Sequence, residues 1–219
     1  MIEDILTSDG VYVFPKLFAT PKQIEEIIRL TETELQENDG SYEFGRAGRI
    51  GSVENWKDTA IYDIFSSSSI WDIAFSFMKN EINTVPNFNE IFVTHDNRSD
   101  QGLAANGFLH FDRRPTFKFF MYLTDCDRDS GAFHYVPKTY QIGKKLRTES
   151  RNESSNYKDM KNKLEIDYPE LGYTAFDSIP IEGPAGTMFA FHSDVFHMGG
   201  RISEGNERRV IRLHVRGKD

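Results

Sequence analysis

The chain has 219 residues, 38% hydrophobic and 27% charged, a balance ordinary for one globular domain. A formal net charge of −8 argues against a nucleic-acid partner, and the single cysteine, Cys126, excludes an internal disulfide and fits a reducing compartment. The N-terminus carries no basic segment followed by an apolar run, and no stretch approaches the roughly 18 to 20 apolar residues of a membrane span. The expectation is a cytoplasmic protein with no signal peptide and no membrane partner.

Residues 10–14 are β-branched and aromatic and predict a short strand. Thr20, Pro21 and Gln23 then open a helix: an N-cap, a proline at the first helical position and a capping box. Ile24, Ile27, Ile28 and Leu35 mark its buried stripe. Residues 38–52 predict a loop, and residues 70–80 a second helix with Ile70, Ile73, Ala74 and Phe77 on one face. Strands are expected over 91–94, 117–123, 132–136, 186–191 and 210–215, with a polar loop over 97–106. Residues 141–183 carry Lys, Arg, Glu, Asn and Ser and predict a long, partly helical insertion.

His110 and Asp112 are two residues apart, which places both side chains on one face of a strand. His197 follows 85 residues after Asp112, enough chain for several intervening strands to return a neighbour to the first. Two imidazoles and one carboxylate on one face of a metal are the ligand set of non-haem Fe(II) oxygenases. A second such pair, His192 and Asp194, has His214 only 20 residues beyond it, too close for several strands to intervene. His192 also lies an odd number of residues before His197 and is expected on the opposite face. His95 and His134 are expected as strand-end or loop residues, His214 as a buried polar residue. Cys126 has no base beside it that would mark a nucleophile.

Residues 90–216 resemble the phytanoyl-CoA dioxygenase family of Fe(II)/2-oxoglutarate oxygenases. The resemblance is carried by His110-Phe111-Asp112, the apolar run 119–123 ending at Thr124-Asp125, Ser130-Gly131-Ala132-Phe133, Val136-Pro137, residues 186–192 and His197-Met198-Gly199-Gly200. Lys138-Thr139-Tyr140 depart from the Gly-Ser-His usual after that proline. The resemblance implies Fe(II) held by His110, Asp112 and His197, with 2-oxoglutarate chelating it and O2 as the oxidant. A basic residue eleven positions after the distal histidine would hold the far carboxylate. That residue is Arg208, and Arg209 stands beside it. Strand parity favours Arg208: Arg209 shares its face with Ile211, Leu213 and Val215, which fit against outer helices. The same parity groups Lys118, Phe120 and Tyr122. If they point inward, Phe120 and Tyr122 flank 2-oxoglutarate. Thr94 and Asn97 stand where the family places polar contacts to the cosubstrate. Asn106, Arg113 and Lys118 are substrate-contact candidates, with surface charge the plain alternative for Arg113 and Lys118.

The resemblance implies a mainly β fold, a double-stranded β-helix (jelly roll, cupin-like) core with flanking helices. It would form one domain over 1–219: supporting elements over 1–85, core over 86–140 and 184–216, and an insertion over 141–183 that lids the substrate. The activity implied is hydroxylation of a small metabolite coupled to decarboxylation of 2-oxoglutarate to succinate and CO2. Asp112 argues against halogenation, because related halogenases lack this carboxylate. The alternatives are a cupin-type metal enzyme that does not use 2-oxoglutarate, and a non-catalytic jelly-roll binding protein.

Overall fold

The structure, a computed structural model, describes residues 2–37, 41–42, 45–97, 107–150 and 161–217. In chain order these form α1 (Ile2–Ser8), β1 (Val11–Val13), α2 (Pro21–Glu37), β2 (Ser41–Tyr42), β3 (Gly45–Arg49), α3 (Ala60–Phe65), α4 (Ser68–Ile82), β4 (Pro86–Asp96), β5 (His110–Asp112), β6 (Phe117–Tyr122) and β7 (Phe133–Tyr135). There follow α5 (Tyr140–Ser150), β8 (Lys161–Lys163), α6 (Leu164–Asp167), β9 (Ile179–Ile181), β10 (Met188–His192), β11 (His197–Gly199) and β12 (Arg208–Gly217). The start of α2 has the expected capping box: Thr20 N–H donates to Gln23 Oε1 at 3.0 Å and Gln23 N–H donates to Thr20 Oγ1 at 3.3 Å. No helix among the described residues is long and apolar enough to cross a membrane.

The strands form two antiparallel sheets, in the orders β1-β10-β6-β12-β4-β3-β2 and β8-β5-β11-β7-β9. This corrects the expected fold class. The architecture is mixed α/β, and neither sheet closes into a barrel. Among the described residues β1 and β2 each pair on one side only, as do β8 and β9, so both sheets keep open edges. Helices, not closure, cover the apolar surface. Phe117, Phe119 and Met121 of β6 and Ile211, Leu213 and Val215 of β12 are fully buried in one cluster with Ile27, Ile61, Phe65, Ile70 and Phe77 of the helices. Burying each such side chain contributes about 2 kcal/mol.

The smaller sheet has its own outer cover. Leu109, Phe111, Val136, Phe196 and Met198 pack with Leu164 of α6 and with Ile142 and Leu146 of α5. Alternation along β5 therefore sends Phe111 outward and its neighbours His110 and Asp112 toward the other sheet.

Residues 38–52 are not simply a loop. They contain β2 and β3, and β3 pairs with β4 from Arg46↔His95 to Arg49↔Phe92. Gly45, Ala47 and Gly48 carry no strand propensity, so the partner strand supplies the order. Likewise α1, α3, β8 and β9 are short elements made by tertiary contact. The described parts of the 141–183 insertion pack onto the body. Gly143 of α5 approaches the β10–β11 turn so closely that a Cβ there would lie 1.9 Å from Asp194 O.

The second His-x-Asp pair explains that close approach. Asp194 is fully buried and receives two hydrogen bonds from Arg147 of α5, Nε at 2.6 Å and Nη2 at 2.9 Å. His192 stacks on Phe77 under the helices, on the face away from His197. Burial raises the Asp194 pKa, but His192 and Arg147 outweigh it and hold the carboxyl below its ordinary value. The stability this confers is complete above the ordinary aspartate pKa of about 3.9 and is lost as pH falls through the lower folded value. Arg147→Met should cost about 3 kcal/mol at pH 7 in urea unfolding, because it strands a buried carboxylate. The cost should shrink toward pH 3, where Asp194 protonates in the variant. An equal cost at both pH values would show that lost packing, not charge, is responsible.

Candidate metal centre

His110 of β5 and His197 of β11 are directly opposed across an antiparallel pair. Their ring centroids are 4.3 Å apart, and both are buried. Asp112, two residues along β5, turns Oδ1 toward them, 3.8 Å from His110 Nε2 and 4.0 Å from His197 Nε2. One ligand atom from each of the three residues lies within 4.8 Å of the other two.

The protons are arranged by the backbone. His110 Nδ1 lies 2.8 Å from Phe108 O, and His197 Nδ1 lies 2.7 Å from Val195 O. A carbonyl can only accept, so each Nδ1 carries the proton and each Nε2 presents its lone pair toward Asp112. Asp112 Oδ2 accepts from Lys118 Nζ at 2.5 Å, which leaves Oδ1 on the histidine side. Burial raises the Asp112 pKa, yet Lys118, then His197 and His110, outweigh it and hold the carboxyl well below the usual range. Burial pulls the Lys118 ammonium below the ordinary lysine value, with Asp112 opposing. Two imidazole nitrogens of fixed tautomer and one ionised carboxylate oxygen suit a divalent transition metal.

The other sequence candidates divide by face. The pairings Val210↔Tyr122, Arg212↔Phe120 and His214↔Lys118 put the even-numbered residues of β6 and β12 on the face turned to the smaller sheet. Phe120 meets Phe133 of that sheet at 5.4 Å, and Phe133 reaches His197 at 5.6 Å. Tyr122 is an inter-sheet strut: its hydroxyl donates to Ile181 O at 2.7 Å and accepts from Phe133 N–H at 2.9 Å. Thr94 pairs with Val210 on the same face. Arg208 donates to Asp96 Oδ2 at 2.6 Å and to Gly131 O at 2.5 Å, while its Nε is buried with no hydrogen-bond partner. Arg209 turns the other way, to Glu32 of α2 at 2.6 Å, as parity requires.

Lys118 is buried on Asp112 and is not a solvent-reaching lysine. Arg113 is held by Asn162 Oδ1 at 3.0 Å, next to β8, which pairs with β5 at His110↔Lys163 and Asp112↔Lys161. Asn97 is exposed just past the end of β4, and Asn106 lies outside the described residues. Sequence reasoning missed Asp96 and Asn162, the partners of the two arginines. Their signal is only their place on strands β4 and β8, which pairing reveals.

Two buried imidazoles and one carboxylate in this arrangement are the donor set that non-haem metal oxygenases use. The sequence profile of the family described as Phytanoyl-CoA dioxygenase (PhyH) matches residues 6–210, and the chain belongs to that family. It is accordingly an oxidoreductase of the 2-oxoglutarate-dependent non-haem iron class. No curated protein sequence matches the chain. Among solved structures it is similar in fold to the epimerase SnoN in complex with Fe3+, alpha ketoglutarate and nogalamycin RO, with TM-score 0.69, 12% identity, and 99% of this chain and 82% of that one covered. It is also similar to HygX from Streptomyces hygroscopicus with nickel and 2-oxoglutarate bound (TM-score 0.60, 14% identity, 98% and 85% covered). A third is EvdO2 from Micromonospora carbonacea var. aurantiaca complexed with 2-oxoglutarate (TM-score 0.59, 12% identity, 99% and 90% covered).

Lys118 fixes which carboxylate oxygen faces the histidines. Lys118→Met should therefore weaken Co(II) binding by about 10- to 100-fold in a competitive chelator titration, with the fold intact by circular dichroism. Unchanged affinity would show that Asp112 holds its orientation without the lysine.

Proposed function

We propose that this protein is an Fe(II)- and 2-oxoglutarate-dependent dioxygenase that hydroxylates a small metabolite. The observation that carries the reading is the three-residue donor set, with both Nδ1 protons pinned to backbone carbonyls and Asp112 kept ionised by Lys118. When bound, iron and 2-oxoglutarate supply the O2-dependent oxidation, the cosubstrate ending as succinate and CO2.

The chain's own residues do the rest. His110, Asp112 and His197 occupy one side of the metal position and leave the other for cosubstrate and O2. Arg208 is the residue for the far carboxylate of 2-oxoglutarate. Asp96 and the Gly131 carbonyl orient its guanidinium, and its buried Nε, with no protein acceptor, asks for one from a ligand. Phe120 and Tyr122, with Thr94, wall that path, and Asn97 stands at its outer end. The aromatic cluster of Phe120, Phe133, Phe189 and Phe191 excludes water beside His197. SnoN and HygX hold 2-oxoglutarate together with a metal, which supports the same pair of cofactors here. Asn106, Arg113 and Lys118 are the substrate-side candidates. The 141–183 segment acts as the lid: its strand β8 adds directly to the strand bearing His110 and Asp112.

His110→Ala and Asp112→Ala should each abolish succinate formation from 2-oxoglutarate in the presence of Fe(II), and a chelator should do the same to the wild type. Arg208→Met should raise the 2-oxoglutarate Kd of the metal-loaded protein on the order of 100-fold by calorimetry, since a desolvated charge pair loses one partner. Turnover surviving in either ligand variant would sink the metal assignment, and an unchanged Kd would remove Arg208 from the site.

A further inference from the structure

Strand β8 lies at the edge of the smaller sheet, against the strand that bears two of the metal ligands. Its Lys163 is directly opposite His110. Residues directly opposite in an antiparallel pair share one face of the sheet. Lys163 therefore stands on the face of His110, the one turned to the metal position. A lysine on an edge strand ordinarily wards off pairing with other chains, its ammonium in water. Lys163 is placed differently.

Its side chain is half-buried, and Nζ lies over the Phe108 ring, 4.9 Å from the centroid. The Phe108 ring is in turn 5.2 Å from that of His110. One aromatic ring thus separates the ammonium from a metal ligand. A ring face engages one side of an ammonium and leaves N–H donors on the others. Among the described residues Nζ has no carboxylate partner. Asp167 accepts from the Lys163 backbone N–H at 2.7 Å, which fixes the strand and not the ammonium. Lys118, the other lysine beside the metal position, is taken up by Asp112. A cation held on a ring, partly out of water and with no carboxylate of its own, suits an oxyanion.

We propose that Lys163 selects the substrate by binding an oxyanion group on it, a carboxylate or a phosphate. The inference rests on the function proposed above, since that reading makes the space between β8 and the metal position the substrate's. The two ring-to-ring steps bound the distance from Nζ to His110, so the oxyanion and the carbon to be oxidised belong to one small molecule.

The test uses wild-type protein saturated with Ni(II) and 2-oxoglutarate, titrated by calorimetry with propionate, methylphosphonate and propionamide at ionic strength held constant by chloride. At least one anion should bind saturably, and propionamide about tenfold more weakly or worse; the tighter anion tells carboxylate from phosphate. Lys163→Met, which keeps the stem on Phe108, should weaken that anion by about tenfold and leave the 2-oxoglutarate Kd within about twofold. Lys163→Arg should restore most of the affinity. Lys163→Glu should reverse the preference, binding propylammonium better than either anion, a change that a merely structural lysine would not produce. If the wild type does not prefer an anion, the proposal is overturned. It is overturned equally if Lys163→Met binds the anion as well as the wild type, since the anion then sits on the metal or elsewhere. If Lys163→Met instead abolishes 2-oxoglutarate binding, the ammonium belongs to the cosubstrate and the proposal fails. Failure of the wild type to bind 2-oxoglutarate with Ni(II) would sink the function reading and this inference with it, whereas loss of the anion preference alone leaves that reading standing.

Discussion

The bond from Lys118 on the larger sheet to Asp112 on the smaller one is the contact on which the site depends. It crosses the space between the sheets and decides which oxygen of Asp112 faces the two histidines. Further polar ties span the same space: the Tyr122 hydroxyl between Ile181 O and Phe133 N–H, and Arg208 on the Gly131 carbonyl. Sheets packed only by hydrocarbon tolerate small sliding movements. Directional hydrogen bonds in a low-dielectric interior do not, because each broken one leaves a desolvated polar group. The spacing of His110, Asp112 and His197 is thus set by bonds beside the site as much as by the three residues themselves.

These ties divide the interior into two kinds of polar group. Tyr122, Asp96 and Asp112 are satisfied by protein, and they position what surrounds them. Arg208 Nε and His214 Nε2 are buried with no hydrogen-bond partner. Leaving such a group without a partner costs about 1 to 3 kcal/mol, a cost that a bound ligand removes. Within a chain of net charge −8, the inner-face cations Lys118, Arg208 and Arg216 stand in ion pairs with Asp112, Asp96 and Glu90.

The site was more legible in the sequence than the fold around it, for a physical reason. Strand side chains alternate, so parity alone put His110 with Asp112, separated Arg208 from Arg209, and turned Lys118, Phe120 and Tyr122 to one face. The structure places all of them accordingly. Parity says nothing about edges. Whether β1, β2, β8 and β9 find further partners is decided by geometry many residues away, and the expectation of a closed jelly roll failed there. It also cannot see strands made by their neighbours: Gly45, Ala47 and Gly48 extend only because β4 offers them hydrogen bonds. Lys118 shows the limit within the site. Its face was readable, but its partner was not, because Asp112 approaches from the other sheet.

The two His-x-Asp pairs show why a motif alone is a poor guide. His110 and Asp112 lie on a strand, both turned into the chamber, with an imidazole opposite and one cation on the far carboxylate oxygen. In the second pair His192 ends β10, and Asp194 lies in the turn that follows. His192 faces the helices, and Asp194 is closed off by both nitrogens of an Arg147 fork. The Asp194 carboxylate is committed to Arg147 and His192, while Asp112 keeps Oδ1 turned to two imidazoles. The difference between a structural ion pair and a ligand set therefore lies in the surroundings: Arg147 fixes Asp194 within the fold, and Lys118 turns one oxygen of Asp112 toward two opposed histidines.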